Sequence, residues 1–358
     1  MKKKINKISF KGQNIYVGID VHLKSWKITI MLTHSLHKTF SMNPSGKELK
    51  AYLSKNFPEG NYYSAYEAGF CGYSVHRELI QLGIKNIIVN PADIPTTDKE
   101  RKQKEDKRDS RKIAKSLRNG DLQSIFVPDV SLMELRALVR HRKTLVKEIS
   151  RHKCRIKSFL YYNGVKFPNE LISSSKHWSG RFTEWLKTIE FETLYGKTVL
   201  NQTIEIINFL KVTLLDVNRE FRAVSKTGPY SLSLDYLCSI PGIGLVTAIT
   251  LLSEVGDFSR FRNLDHFCSY VGLVPTTNSS GEKEIAGKIT PRSNKPIRSV
   301  IIESAWIAIR IDPALAKKYN ELCCRMKAND AIIRIAKKLL SRIRSIMINE
   351  VHYEYSVV

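Results

Sequence analysis

Asp20, Glu67, Asp106 and Asp109 are the residues of this chain whose types and spacing best suit chemistry. Asp20 ends the apolar run Ile15-Tyr-Val-Gly-Ile-Asp20, and Glu67 ends Tyr62-Tyr-Ser-Ala-Tyr-Glu67. Asp106 and Asp109 stand three apart in a stretch of helical character, so both project from one face. Carboxylates at strand ends in a very basic chain call for a compensating divalent ion. Mg²⁺ takes oxygen ligands, Mn²⁺ can stand in for it, and a pair of ions clamps the attacking and leaving oxygens of a phosphodiester displacement. The four acids read as a two-metal site that processes nucleic acid.

The bulk numbers point the same way. A chain of 358 residues holds two or three domains with real cores. Its 58 Lys and Arg against 34 Asp and Glu give a formal net charge of +24, which excludes an ordinary metabolic enzyme and implies a polyanionic partner. Binding of that kind weakens steeply with salt. The six cysteines form no CxxC and no Cys/His ligand spacing, so neither a zinc site nor a disulfide framework is expected, and a reducing cytoplasm suits the chain. The basic N-terminus lacks the apolar core of a signal peptide. The apolar stretch from Ser299 to Ile311 is broken by Glu303 and Arg310, so no membrane span is expected.

These residues need elements to position them. Residues 10–128 read as alternating strands and helices: strand-like runs on either side of Asp20 within Ile15 to Leu32, a short strand from Lys38 to Met42, and a helix from Gly46 to Leu53. A strand from Tyr62 to Glu67, a helix from Tyr73 to Leu82 and a strand from Ile84 to Val89 follow. This order predicts a mixed sheet flanked by helices, with the strand-end acids sharing one edge. The charged run from Asp98 to Arg118 would be a solvated face by itself. Because it leads into the apolar stripe Ile113-Ala-Lys-Ser-Leu117, it is expected to form a functional helix. Its cations Lys104, Lys107, Arg108, Arg111 and Lys112 are placed to hold phosphates beside the cut.

Residues 129–228 have a heptad texture. Leu132, Leu135, Val139, Val146, Ile149, Ile156 and Leu160 keep an a/d spacing interrupted by Arg142 and Lys153. A second helix carries Ile207, Leu210, Leu214, Val217 and Phe221. The pair predicts an antiparallel coiled-coil arm, with an irregular tip across Tyr161 to Trp185 and no catalytic role. Residues 229–350 read as a mostly helical domain. Ile240-Pro-Gly-Ile-Gly244 before a helical Leu245 to Leu252 has the look of a helix-hairpin-helix, in which Gly242 and Gly244 present amide N–H groups to phosphate. Next come Tyr270-Val-Gly-Leu-Val-Pro275, a polar loop Thr276-Thr-Asn-Ser-Ser280-Gly281, and a basic stretch whose Lys283, Lys288, Arg292, Lys295 and Arg298 are candidate nucleic-acid contacts.

Together these motifs resemble the transposases of the insertion-sequence-110 type, the group that includes the Piv/MooV DNA invertases. The front part resembles that family's RuvC-like, RNase H-fold domain through Gly18-Ile-Asp20-Val-His, Glu67-Ala-Gly69, Val89-Asn-Pro91 and Lys104-Glu-Asp106-Lys-Arg-Asp109. The back part resembles its second domain through Ile240-Pro-Gly-Ile-Gly244, Tyr270-Val-Gly-Leu-Val-Pro275 and Ser280-Gly281. The resemblance implies a DEDD carboxylate set at Asp20, Glu67, Asp106 and Asp109, and a nucleophilic serine at Ser280, with Ser279 adjacent as the alternative. It also implies a non-coding guide RNA that selects donor and target DNA, and homodimers or homotetramers acting in a bacterial or archaeal cytoplasm, associated with the nucleoid. The chain departs from the family pattern at Glu105, where Thr is usual, and at Ser110, where Ala is usual; neither removes a ligand.

Three functions are weighed on these grounds. The first is an RNA-guided DNA recombinase using metal and serine together. The second is a two-metal endonuclease or junction resolvase without a serine–DNA intermediate. The third is a nucleic-acid-binding protein without catalysis, against which the four intact acids speak.

Overall fold

The computed structural model describes residues 9–95, 106–280 and 283–355, with the side chains of 106–108, 176, 277–280 and 283–288 outside the description. The chain divides into two compact units, Met1–Val127 and Pro128–Val358.

The first unit is built on a five-stranded mixed sheet. Strands β1 (Asn14–Val21), β2 (Trp26–Met31) and β3 (Leu36–Met42) form an antiparallel meander. After helix α1 (Gly46–Asn56), β4 (Asn61–Glu67) pairs parallel to β1; after α2 (Ser74–Gln81), β5 (Lys85–Val89) pairs parallel to β4. The spatial order is β3-β2-β1-β4-β5, and helix α3 (Asp106–Asn119) completes the unit.

Strand alternation decides what each face of the sheet meets. Ile15, Val17 and Ile19 of β1 join Ile28, Ile30, Tyr62, Tyr66 and Ile88 on one face, buried under Leu49 and Leu53 of α1 and Leu79 of α2. The Ser45 hydroxyl caps α1 by accepting from the Glu48 amide, and Glu78 of α2 accepts from the Gly46 amide at 3.0 Å, which ties the two helices together. The intervening positions form the other face, where Ala65 and Val89 pack with Ile113 of α3 and with Ile94.

The second unit begins with α4 (Val130–Tyr162) and α6 (Leu194–Lys226), two helices of 33 residues each. Leu135, Val139 and Leu145 share a core with Val217 and Phe221, whereas Ile149, Ile156 and Leu160 share another with Leu200, Ile204 and Ile207. The helices are therefore antiparallel. The heptad reading misses one position: Leu145 is buried and Val146 exposed. The buried side takes two three-residue steps in succession, Val139 to Arg142 to Leu145, and then a four-residue step to Ile149, where a strict heptad would alternate three and four. Arg142 is accommodated by donating from Nε to Asn218 Oδ1 at 2.8 Å. The tip is also more regular than expected. Ser179 caps helix α5 (Gly180–Thr188), whose Phe182 lies buried among Phe167, His177, Trp178 and Trp185.

Helices α7 (Ser231–Cys238), α8 (Leu245–Val255), α9 (Leu264–Val271), α10 (Lys295–Ile311), α11 (Pro313–Cys323) and α12 (Ala328–Asn349) form the rest of the unit. Their apolar sides pack with the lower halves of α4 and α6 into one core. Between α9 and α10 stands an antiparallel hairpin of β6 (Pro275–Ser280) and β7 (Lys283–Ile289). The segment read as a polar loop is thus largely strand. Among the described residues no helix is long and apolar enough to cross a membrane.

Candidate active site

Two of the four acids meet at the sheet. β1 and β4 are parallel and in register up to Ile19 opposite Tyr66, so Asp20 and Glu67 stand side by side one position further on. Registered neighbours point to the same face. That face is also the face of Gly18, two residues before Asp20, and it is the one that α3 covers.

Gly18 explains how the helix comes so near. A Cβ built there would lie 2.1 Å from the Ser110 carbonyl oxygen and 2.4 Å from the Ala114 amide nitrogen. Only a residue without a side chain lets the α3 backbone rest directly on β1. Ser110 then locks the contact. Its hydroxyl is buried and lies 2.9 Å from Thr29 Oγ1, which in turn lies 2.9 Å from Thr39 Oγ1. Ser110, where the resembled family usually has Ala, thus pins the helix across β2 and β3. Asp109 immediately precedes this anchor and is half-buried. Asp106 opens the helix one turn earlier.

Adjacent strands lie about 4.8 Å apart, and two carboxylates at about 5 Å repel by about 3 kcal/mol at an effective dielectric constant of about 20. A hard cation would offset that repulsion, and the all-oxygen donor set fits one. His22 Nε2 lies 3.0 Å from Asp20 Oδ2, a contact that orients this carboxylate when the ring donates. Among the described residues, which omit the Asp106 side chain, no group of three or more His, Cys, Asp or Glu is gathered closely enough to hold a metal ion. Asp20 and Glu67 are the pair that the backbone register brings side by side; Asp109, on the helix that covers their face, is not gathered with them into a group of three.

Of the cations expected beside the acids, Lys104 lies outside the described residues. Lys107 and Arg108 belong to the first turn of α3, Arg111 is exposed and Lys112 half-buried.

In the second unit, Ser280 is the last position of β6, paired with Lys283 of β7, and Ser279 is paired with Glu284. Lys288 lies near the far end of β7. Arg292 and Lys295 are exposed beyond the hairpin. Arg298 has a different position: its Nη1 donates to the carbonyls of Thr290 at 2.8 Å and Gly272 at 3.4 Å, stapling the two ends of the hairpin.

Gly242 and Gly244 also part company. Gly242 takes a φ of +83° in the turn between α7 and α8, and a Cβ there would lie 2.3 Å from the Ser304 carbonyl oxygen. It serves the close approach of this turn to α10. Gly244 is exposed and caps α8 with no side-chain hydrogen bond, which leaves it the better placed of the two to face an anion.

Two buried carboxylates, Glu254 and Asp312, do not stand out in the sequence, and Glu254 lies nearer the hairpin's connections. Glu254, one residue before the end of α8, is 2% exposed, and Arg140 of α4 holds it with two hydrogen bonds of 2.8 and 3.0 Å. Its signal was a lone carboxylate inside the run Ala248 to Val255.

Comparisons with known proteins place the chain among transposases. Residues 17–162 match the DEDD family model described as a transposase, and residues 234–320 match the model described as the transposase IS116/IS110/IS902 family. The y4qE protein of Sinorhizobium fredii is 29% identical over 259 residues, covering 72% of this chain. That match spans 60% of y4qE, less than two thirds of its length. The transposase for insertion sequence element IS1533 of Leptospira borgpetersenii is 27% identical over 305 residues, covering 82% of this chain and 85% of the relative. The IS110 insertion-element 43.6 kDa protein of Streptomyces coelicolor is 36% identical over 120 residues, 33% of this chain and 29% of that protein.

Proposed function

Because this chain belongs to the IS116/IS110/IS902 family of transposases, we propose that it is the DNA recombinase of an insertion sequence, cutting and rejoining strands with metal-bound carboxylates and a serine. The observation that carries this reading is that β1 and β4 run parallel and in register up to Ile19 opposite Tyr66, which sets Asp20 beside Glu67 on the sheet face covered by α3. In open α/β sheets, ligands gather at the carboxyl ends of parallel strands, and both acids stand there. The mixed five-stranded sheet supports an RNase H-like, RuvC-like description of the first unit, and the turn between α7 and α8 supports a helix-hairpin-helix in the second.

Asp20, Glu67, Asp106 and Asp109 would hold Mg²⁺, two ions by the chemistry of phosphodiester displacement, with Mn²⁺ as a substitute. Bound there, the metal supplies Lewis-acid stabilisation of charge on the phosphate oxygens. Ser280 would attack phosphorus: an Oγ–P bond forms as a sugar–oxygen bond to phosphorus breaks, and the hydroxyl proton leaves to a neighbouring base. The phosphodiester is kept as a serine–DNA link, so resealing needs no nucleotide cofactor. The partners are donor and target DNA and a non-coding guide RNA, in keeping with the net charge of +24. An exposed apolar stripe on α6, formed by Tyr195, Val199, Ile206 and Phe209, supports assembly into dimers or tetramers.

Ser280→Ala is expected to abolish the protein-linked DNA that a denaturing gel detects, while Ser279→Ala leaves it. If the Ser280→Ala protein still cuts and the ends from the wild type carry no protein, the chain is a two-metal endonuclease instead. The cations of α3 give a separate expectation. Replacing Lys107, Arg108 and Arg111 together by Gln flattens the slope of log K against log salt by roughly 2.7, at about 0.9 for each phosphate contact. A salt titration with an unchanged slope would show that these residues touch no backbone phosphate.

A further inference from the structure

We propose that Glu254 is a positioning residue for the serine-bearing hairpin, acting through Asn294 to fix the direction in which β6 and β7 leave the helical core. The proposal rests on the reading of Ser280 as nucleophile. Glu254 sits near the C-terminal end of α8, where the helix dipole disfavours a negative charge, and it is almost wholly buried. Apolar side chains would fill this place at lower cost. Burial pushes its carboxyl up, but the hydrogen bonds and charge of Arg140, together with Asn294 and Arg136, bring it below the usual carboxylate range. It is a charge at neutral pH, held on purpose-built partners.

Those partners lead to the hairpin. Asn294 donates from Nδ2 to Glu254 Oε2 at 3.2 Å and to the Tyr270 hydroxyl at 3.3 Å, and that hydroxyl donates to the Glu254 backbone carbonyl at 2.8 Å. The Asn294 amide donates to the Tyr270 carbonyl at 3.0 Å, and its Oδ1 caps α10 by accepting from Ile297. Tyr270 and Asn294 stand just outside the two feet of the hairpin. The feet are themselves joined, Thr290 N donating to Val274 O at 3.1 Å and Arg298 bridging Thr290 and Gly272. An apolar core has no direction of its own. Charge-assisted hydrogen bonds do, and this set converts the packing of α4, α8, α9 and α10 into a single orientation of the strands that end in Ser280. A nucleophile displaced by about 1 Å loses about 100-fold in rate.

The test uses the full-length protein with its co-purified RNA and a duplex spanning one junction between element and flanking DNA. Glu254→Gln is expected to lower the single-turnover rate of protein–DNA adduct formation about 100-fold at saturating duplex, with the Kd for the duplex within about twofold. Asn294→Ser keeps a helix cap but removes the amide that reaches Glu254, and should show the same split between rate and affinity if Glu254→Gln does not fold. Adduct formation at the wild-type rate in either folded variant overturns the proposal. So does a loss that vanishes on assay well below the melting temperature, because that is a stability effect. Ser280→Ala runs alongside: if it still forms the adduct, the nucleophile assignment has failed, whatever the other two variants do.

Discussion

Asp20→Asn is expected to lower metal-dependent strand cleavage by roughly 10³-fold, the scale at which a lost electrostatic contact to a developing oxyanion is felt. Asn keeps the shape and one acceptor oxygen but removes the charge that draws a divalent ion to the end of β1. The folded state should survive. Asp20 is partly exposed, its side chain 21% accessible, and losing its contact with the half-exposed His22 costs little in water. Removal of one charge from the pair with Glu67 even relieves repulsion when no metal is bound. Cleavage of an end-labelled duplex in Mg²⁺, measured beside the melting temperature, reads the two effects separately: a large fall in rate with melting unchanged or slightly raised.

Gly18→Ala is expected to damage stability and activity together, by a different route. A methyl group at that position falls within 2.1 to 2.9 Å of the Ser110 carbonyl, the Ala114 amide and the Ala114 Cβ. The first two are helix backbone and cannot swing aside, so α3 must lift as a body. Overpacking of this kind costs about 3 kcal/mol, and lifting the helix also strips the buried Ser110–Thr29 hydrogen bond. Because Asp106 and Asp109 travel with α3, an activity loss of about 100-fold should accompany the fall in stability. Gly69→Ala is the control for stability, since a Cβ there meets nothing nearer than 3.8 Å. Denaturant unfolding of both variants checks the difference.

These two expectations also mark where sequence patterns end. Asp20 and Glu67 were legible because each closes a short apolar run, and a run of that length closed by a polar residue announces a strand and its end. That the two strands are neighbours, parallel and in register is a tertiary fact carried by no local pattern. Gly18 could be read as part of a motif, but its purpose is the approach of a helix almost a hundred residues later. Ser110 stood out only as a departure from the resembled family. Its hydroxyl proves to be a buried anchor, a role set by Thr29 and Thr39 on two other strands.

The second unit shows the same limit. Thr276-Thr-Asn-Ser-Ser280 lacks the alternation of apolar and polar residues that marks a half-buried strand, so it reads as a loop; cross-strand pairing with β7 makes it a strand. In α4 the shift from Val146 to Leu145 follows from a local change of helical phase that a fixed heptad count passes over. Glu254 is the one carboxylate in the run Ala248 to Val255 and passes unread there, because its meaning depends on Arg140 and Asn294, 114 and 40 residues away.

Crystals soaked in Mn²⁺ and measured at the manganese absorption edge test the central claim most directly. The account predicts an anomalous peak between the carboxylates of Asp20 and Glu67, on the side of α3, that disappears in Asp20→Asn. Manganese bound elsewhere, with these two carboxylates empty in the wild type, would contradict it.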